Sequence, residues 1–124
     1  MEAEPTILLP GSFNPIHKGH LSIAENVLRA MPEATLWFVV SPQNPLKSPS
    51  ELAAERHRLQ MARIAVGSSP LRERMAVCDV EFTLPKPSLT LRTLDTLQAK
   101  HPSRRFALLV GTDIVGEFGR WYRS

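Results

Sequence analysis

The fold of this chain is indicated by one stretch of ten residues, which reads Gly11-Ser12-Phe13-Asn14-Pro15-Ile16-His17-Lys18-Gly19-His20. The stretch follows a short apolar run at Ile7–Leu9 and precedes a helical pattern, so it predicts a strand, a tight loop and a helix. That geometry points free backbone N–H groups at a phosphate, and two histidines three residues apart add side-chain donors. The stretch therefore indicates that the chain binds a nucleotide and acts on its phosphorus.

Size and composition narrow the class of protein. The chain has 124 residues, enough for one domain with a single core, which we expect to span residues 1–124. Cys78 is the only cysteine, which excludes an intrachain disulfide and a cysteine-based zinc cluster, and we expect no metal site built from side chains. No stretch has the length and apolarity of a membrane span, and the first residues lack a signal-peptide pattern, so we expect a cytoplasmic protein without a membrane partner.

The charge of the chain suits a small anionic ligand. The formal net charge is +3 and the pI is about 9.5. Because the basic residues are dispersed along the sequence, we expect no nucleic-acid partner. Arg104 and Arg105 form the only Arg-Arg pair, which we interpret as the solvated entrance of a strand.

Strand patterns alternate with helical patterns along the chain. Strands are predicted at residues 7–9, 36–40, 75–82 and 106–110, and helices at 20–31, 49–67 and 91–97. Residues 41–50 contain three prolines and are predicted to be irregular up to Pro49, the first position of the second helix. The order predicts an α/β fold, a Rossmann-like parallel sheet flanked by helices. The loops at 10–20, 41–50 and 111–122 all follow strands, so they meet at the edge where such sheets bind ligands.

The two histidines also have a plainer interpretation. His17 could cap the helix, and His20 could belong to the core because it continues the apolar stripe. Their position beside a glycine turn after a strand favours a phosphate site instead. The stretch matches neither Gly-x-x-x-x-Gly-Lys-Ser/Thr nor Gly-x-Gly-x-x-Gly, which disfavours a Walker loop and a hydride-transfer site.

Residues 11–20 resemble the (T/H)xGH signature of the nucleotidylyltransferase superfamily, with His17 in its first position. Three further segments resemble nicotinate/nicotinamide mononucleotide adenylyltransferases: Ser41–Lys47, Pro87–Leu94 and Gly111–Tyr122. The resemblance covers nearly the whole chain. It implies a sheet of the nucleotidylyltransferase type and adenylyl transfer from ATP to nicotinate mononucleotide, giving deamido-NAD and pyrophosphate, with Mg²⁺ accompanying ATP.

The resemblance also implies the site residues. His17 and His20 would be catalytic, and the ATP-binding residues would be Gly11, Ser12, Phe13, His17, His20, Gly111 and Asp113. The acceptor would be bound by Asn44, Lys47, Thr90, Trp121 and Tyr122, with the Trp121 ring on the pyridine. Without the resemblance, Asp113 reads as the N-cap of a short helix at 113–119, Lys47 as a solvated lysine, and Trp121 as an ordinary aromatic. A basic group on the second helix reads as a solvated face: Arg56, His57, Arg58 and Arg63.

One family element is missing from the chain. The family continues past its tryptophan motif to a second phosphate-binding segment, Ile-Ser-x-Thr-x-Ile-Arg, so the resemblance implies a domain truncated at its C-terminus. This leaves two alternatives open: another superfamily member, such as phosphopantetheine adenylyltransferase or a cytidylyltransferase, and a non-catalytic nucleotide-binding fragment or regulatory relative. The oligomeric state is open as well.

Overall fold

A computed structural model describes residues 4–11, 13, 18–40, 49–83 and 91–109, with the backbone alone at 49–53, 83, 91 and 92. In chain order the elements are β1 (Glu4–Gly11), α1 (Lys18–Ala30), β2 (Thr35–Val40), α2 (Pro49–Gly67), β3 (Met75–Cys78), α3 (Leu91–Lys100) and β4 (Arg104–Leu108). Two short 3₁₀ turns, at Arg72–Arg74 and Val80–Thr83, flank β3.

The four strands form one parallel sheet in the order β3-β2-β1-β4. At the carboxyl end Gly11 lies opposite Val40, and Leu8 lies opposite Leu108. The chain builds β2 and β3 on one side of β1 and then returns to place β4 on the other. This reversal between β1 and β4 is the topological switch point beside which open α/β sheets bind ligands. The predicted α/β fold is confirmed.

Side chains alternate between the two faces of the sheet along each strand, so each strand places apolar residues on both faces. Helices cover both of these faces. Ile7 and Leu9 of β1 pack in one apolar cluster, and Leu8 packs in a second. The first cluster includes Val27 and Leu28 of α1 together with the buried residues Leu59, Ala62 and Val66 of α2. The second cluster includes Leu97 of α3. Helices α1 and α2 therefore cover one face, and α3 covers the other.

The helix ends follow their sequence signals. Helix α2 begins at Pro49 and ends at Gly67, as predicted, while the Ser48 cap lies outside the described residues. Helix α1 ends at Ala30, two residues before Pro32. No helix in the described part of the chain combines the length and the apolarity needed to cross a membrane.

Arg74 donates to carbonyl groups in the last turn of α1 and in the connection to β2. Its Nη2 donates to the carbonyl oxygens of Leu28, Met31 and Ala34 at 3.0, 2.6 and 2.9 Å. The last carbonyls of a helix have no partner within the helix, and leaving them unpaired costs stability. Arg74 therefore ties the turn before β3 to the end of α1.

The predicted strand at 75–82 is too long. Strand β3 ends at Cys78, and Phe82 N–H donates to the Asp79 carbonyl at 3.0 Å to form the 3₁₀ turn Val80–Thr83. Val80 packs in the α3-side cluster, whereas Phe82 packs against the α1/α2-side cluster. The apolar pattern continues past Cys78 because this turn crosses the carboxyl end of the sheet and touches both clusters.

Two predictions of solvated basic residues are wrong in part. Arg56, His57 and Arg63 are exposed, but Arg58 is only 6 % exposed, because it lies on the same side of α2 as the buried Leu59. Burial lowers the pKa of Arg58, and the nearby Glu55 opposes this effect.

Arg104 is likewise no simple solvated arginine, although Arg105 is exposed. Its Nη1 donates to the hydroxyl oxygens of Thr6 and Thr35 at 2.9 and 3.1 Å, and its guanidinium lies 4.9 Å from the Trp37 ring centroid. Arg104 thereby joins three strands at the amino end of the sheet.

Candidate functional site

Gly11 is the last residue of β1 at the carboxyl edge of the sheet. A Cβ added at this position would lie 3.0 Å from Cζ of Phe13, a contact tight enough that the ring would have to move by a few tenths of an ångström. A glycine at the end of a strand permits a close approach that a Cβ would block. The structure identifies the approaching group as the Phe13 ring, which folds back over the end of β1.

Phe13 occupies a backbone conformation that side chains other than glycine seldom adopt, with φ of 48°. Its side chain is 4 % exposed and packs edge-on against Phe38 of β2, with ring centroids 5.6 Å apart. Core packing therefore holds Phe13 in this conformation beside the end of β1.

His20 lies in the first turn of α1, half-buried. Its imidazole packs edge-on against Phe13, with ring centroids 4.9 Å apart. The first turn of α1 contains no acidic residue, so the positive end of the helix dipole is not offset by a carboxylate there. An anion beside this turn would meet the helix N-terminus and an imidazole placed by core packing.

The structure thus brings together Gly11, Phe13 and His20 among the predicted site residues. The other predicted site residues lie outside the described part of the chain: Ser12, His17, Asn44, Lys47, Thr90, Gly111, Asp113, Trp121 and Tyr122.

A buried polar pair that sequence analysis missed lies at the same edge, beyond β3. Glu81, in the 3₁₀ turn Val80–Thr83, accepts a hydrogen bond from the Thr93 hydroxyl of α3, and both side chains are 0 % exposed. The pattern at 75–82 contains two carboxyl groups, Asp79 and Glu81, and the sequence does not distinguish the exposed Asp79 from the buried Glu81.

Two observations concern other kinds of site. Among residues 4–11, 13, 18–40, 49–83 and 91–109, no three His, Cys, Asp or Glu side chains are grouped to hold a metal ion. A cavity of about 240 Å³ opens at the amino end of the sheet, lined by Pro5, Met31, Pro32, Glu33, Ala34 and Arg105. It lies at the end of the sheet opposite to Gly11 and His20, so it is separate from the site at the carboxyl edge.

Comparison with known families places these features in context. Residues 8–124 match the model of the family described as cytidylyltransferase-like, and this match includes the β1–α1 turn. This chain belongs to the cytidylyltransferase-like family. The relatives it matches include proteins named "Probable nicotinate-nucleotide adenylyltransferase" from Bacteroides fragilis and Bacteroides thetaiotaomicron, at 40 % and 41 % identity. The alignments cover 100 % and 96 % of this chain, but 60 % and 57 % of those relatives, so the chain spans somewhat more than half of their length.

The fold of this family member also matches solved structures. The Plasmodium falciparum nicotinic acid mononucleotide adenylyltransferase complexed with NaAD superposes with a TM-score of 0.69 at 22 % identity. The match covers 97 % of this chain and 58 % of that one. The same protein complexed with APC gives a TM-score of 0.68. At this identity the likeness establishes the nucleotidylyltransferase fold.

Proposed function

We propose that this chain carries out adenylyl transfer from ATP to nicotinate mononucleotide, giving deamido-NAD and pyrophosphate. The observation that carries the proposal is the turn from β1 to α1, where Gly11, Phe13 and His20 meet at the switch point of a nucleotidylyltransferase fold. The names of the bacterial relatives and the resemblance of three further segments support the choice of substrates.

The reaction needs hydrogen-bond donors rather than a strong general base. A phosphate oxygen of the mononucleotide, already ionised at neutral pH, attacks the α-phosphorus of ATP. The bond from that phosphorus to the bridging oxygen breaks, and pyrophosphate leaves with the electron pair. The protein has to bring two anions into line and stabilise the charge that develops on the phosphoryl oxygens.

In this proposal ATP binds at the β1–α1 turn. Backbone N–H groups of Ser12 and Phe13, with the imidazoles of His17 and His20, would donate to the phosphates. Asp113 would accept hydrogen bonds from the ribose, with Gly111 allowing close approach. The packing of Phe13 supports this arrangement, because a residue that is held in place before ATP binds loses less conformational entropy on binding.

The acceptor, nicotinate mononucleotide, would bind to segments after β2, before α3 and after β4. Asn44 and Lys47 would contact the acceptor phosphate, and the Trp121 ring would stack on the pyridine. Backbone N–H groups of Thr90 and Tyr122 would donate to the pyridine carboxylate. Such donors favour nicotinate over nicotinamide, because the NH₂ end of an amide would face a donor.

In this proposal Mg²⁺ binds together with ATP. The β- and γ-phosphates would supply its ligands and the ion would neutralise charge on the leaving pyrophosphate. We assign the reaction to the cytoplasm, with no nucleic-acid or membrane partner.

The experiment measures deamido-NAD and pyrophosphate formed by this chain from MgATP and nicotinate mononucleotide. Parallel reactions replace the acceptor by nicotinamide mononucleotide or phosphopantetheine, and ATP by CTP. We expect turnover with ATP and nicotinate mononucleotide to exceed every other pairing. His20→Ala should lower that turnover about a hundredfold, as the loss of a donor to developing charge does.

His101→Ala is the matched control, because His101 is also a partly buried helix-associated histidine but lies at the amino end of the sheet. We expect it to retain turnover. ATP binding without any turnover would contradict the transferase proposal and favour the nucleotide-binding alternative. Preferred use of CTP would contradict the proposal and favour a cytidylyltransferase. Preferred use of phosphopantetheine would contradict it and favour phosphopantetheine adenylyltransferase.

A further inference from the structure

Three aromatic rings form a row from the core of the sheet to its carboxyl edge. The Phe38 ring of β2 is fully buried and packs edge-on against Phe13, with centroids 5.6 Å apart. The Phe13 ring packs edge-on in turn against the imidazole of His20, with centroids 4.9 Å apart. The attraction between aromatic rings at such separations depends on their mutual orientation. Within the row Phe38–Phe13–His20, the position of the imidazole therefore depends on Phe13, and that of Phe13 on Phe38.

The two ends of this row differ in how firmly they are held. Phe38 pairs with Leu9 of β1 and with Val77 of β3, so neighbouring strands fix its backbone on both sides. Its side chain is 0 % exposed. His20, by contrast, is half-buried in the first turn of α1. Phe38 is therefore the fixed end of the row, and His20 is the end that solvent and a ligand can reach.

The Phe13 ring between them has little room to move. A Cβ built at Gly11 would lie 3.0–3.3 Å from three of its carbon atoms, so the ring lies close over the end of β1. Protein cores relax only partly when a buried side chain is shortened. A shorter side chain at Phe38 would leave a space beside Phe13 on the core side, into which the ring can shift. The imidazole of His20 would then lose the surface against which it packs.

The position of the His20 imidazole matters for the reaction proposed above. A group that stabilises developing charge has to lie within hydrogen-bond distance of the phosphoryl oxygens in the transition state. Misplacing such a group by about 1 Å can lower the rate about a hundredfold. A core residue that fixes the imidazole can therefore affect turnover without touching a substrate.

We propose that Phe38 is a positioning residue for adenylyl transfer, which holds the imidazole of His20 in place through the ring of Phe13. The inference rests on the proposed function, since it takes from it the role of His20. It adds a prediction that the proposed function does not contain: a substitution in the core of β2 lowers turnover, and does so only while His20 is present.

The test compares kcat and the KM for ATP of the wild-type chain and of Phe38→Leu, with MgATP and nicotinate mononucleotide as substrates. We expect Phe38→Leu to lower kcat about tenfold, which is less than the loss expected for His20→Ala, because the imidazole is displaced rather than removed. The KM for ATP should change little, as it does when an interaction is made only in the transition state. If Phe38→Leu does not fold, Phe38→Met, whose flexible side chain fills irregular gaps, provides the same comparison.

Phe106→Leu is the matched control. Phe106 of β4 is also 0 % exposed and packs edge-on against an aromatic ring of β2, that of Trp37, but it lies in the cluster on the α3 side of the sheet. The same truncation there should lower stability and leave kcat close to that of the wild type. An equal fall in kcat in Phe38→Leu and Phe106→Leu would show that turnover follows stability, which overturns the proposal.

A double substitution separates positioning from a general effect on the fold. In a His20→Ala background there is no imidazole to position, so Phe38→Leu should lower kcat no further. A positioning role thus predicts strongly non-additive effects of the two substitutions. A full additional fall in that background, or wild-type kcat in Phe38→Leu itself, would overturn the proposal.

The imidazole proton resonances of His20 provide a readout that does not need turnover. They are assigned by their loss in His20→Ala, and they sense the ring current of Phe13. We expect Phe38→Leu to shift them and Phe106→Leu to leave them unchanged. Absence of turnover in the wild-type chain would overturn the proposed function, whereas unchanged His20 resonances in Phe38→Leu would overturn the positioning role alone.

Discussion

The ring of Phe13 packs edge-on against the imidazole of His20, with centroids 4.9 Å apart and ring planes 83° apart. Phe13 belongs to the hydrophobic core, whereas His20 lies at the edge where the β-strands end. One contact therefore connects the core of the sheet to the side chain that we propose to touch ATP.

Gly11→Ala tests the packing of Phe13 over the end of β1. The added methyl group would lie 3.0 Å from Cζ of Phe13, and overpacking of this kind costs about 1–3 kcal/mol. We expect urea denaturation to show a fall of this size in the free energy of unfolding. In a Phe13→Leu background the same substitution should cost less, because the shorter side chain leaves room for the methyl group.

Gly67→Ala is the control for that experiment, because nothing lies within 4 Å of a Cβ built at Gly67 at the end of α2. We expect this substitution to leave stability unchanged or to raise it slightly, by up to about 1 kcal/mol. An equal loss in both alanine variants would contradict the proposed contact between Gly11 and Phe13.

Arg74→Met should destabilise the protein by about 2–3 kcal/mol, because it removes the charged donor to one carbonyl group in the last turn of α1 and two in the connection to β2. Arg63→Met is the comparison: Arg63 makes an exposed ion pair with Asp79 at 3.7 Å, and such pairs contribute about 0–1 kcal/mol. Chemical denaturation of both variants checks the difference. Equal losses would mean that Arg74 does not act as the cap of α1.

Stability should depend on pH through His101. Burial lowers the pKa of His101 below its usual 6.5, and the charges of Arg104 and Lys100 lower it further. Between the folded and unfolded pKa values the unfolded chain binds more protons, so stability rises with pH through that range. The contribution is complete above about pH 6.5 and is lost as the pH falls towards the folded pKa.

His101→Gln checks this prediction by denaturation at a series of pH values between about 5 and 8. We expect its stability to fall less steeply on acidification than that of the wild type, since the other histidines contribute equally to both. Parallel pH profiles would show that His101 does not titrate abnormally.

Much of the fold could be predicted from local pattern. Spacing of the apolar residues predicts α1, and the apolar runs predict β1 and β2, because each pattern reports the face that the element buries. Pro49 and Gly67 mark the ends of α2 through their own backbone preferences.

The structure differs from the sequence predictions where distant parts of the chain determine the surroundings of a residue. Arg58, Arg104 and Glu81 are polar in sequence, and only packing against other elements shows that they are buried or held by several strands. The role of Gly11 depends on where the Phe13 ring lies, which no spacing rule reports. Within the site, sequence analysis found the β1–α1 turn and missed the Glu81–Thr93 pair.

The central claim is that the phosphates of ATP lie against the turn from β1 to α1. The most direct measurement is a titration of ¹⁵N-labelled protein with MgATP, followed by the amide resonances. We expect saturable changes that are largest at Gly11, Phe13 and Lys18–His20, and small at Thr6, Thr35 and Arg104. Changes concentrated at those amino-end residues, or no saturable change, would contradict it.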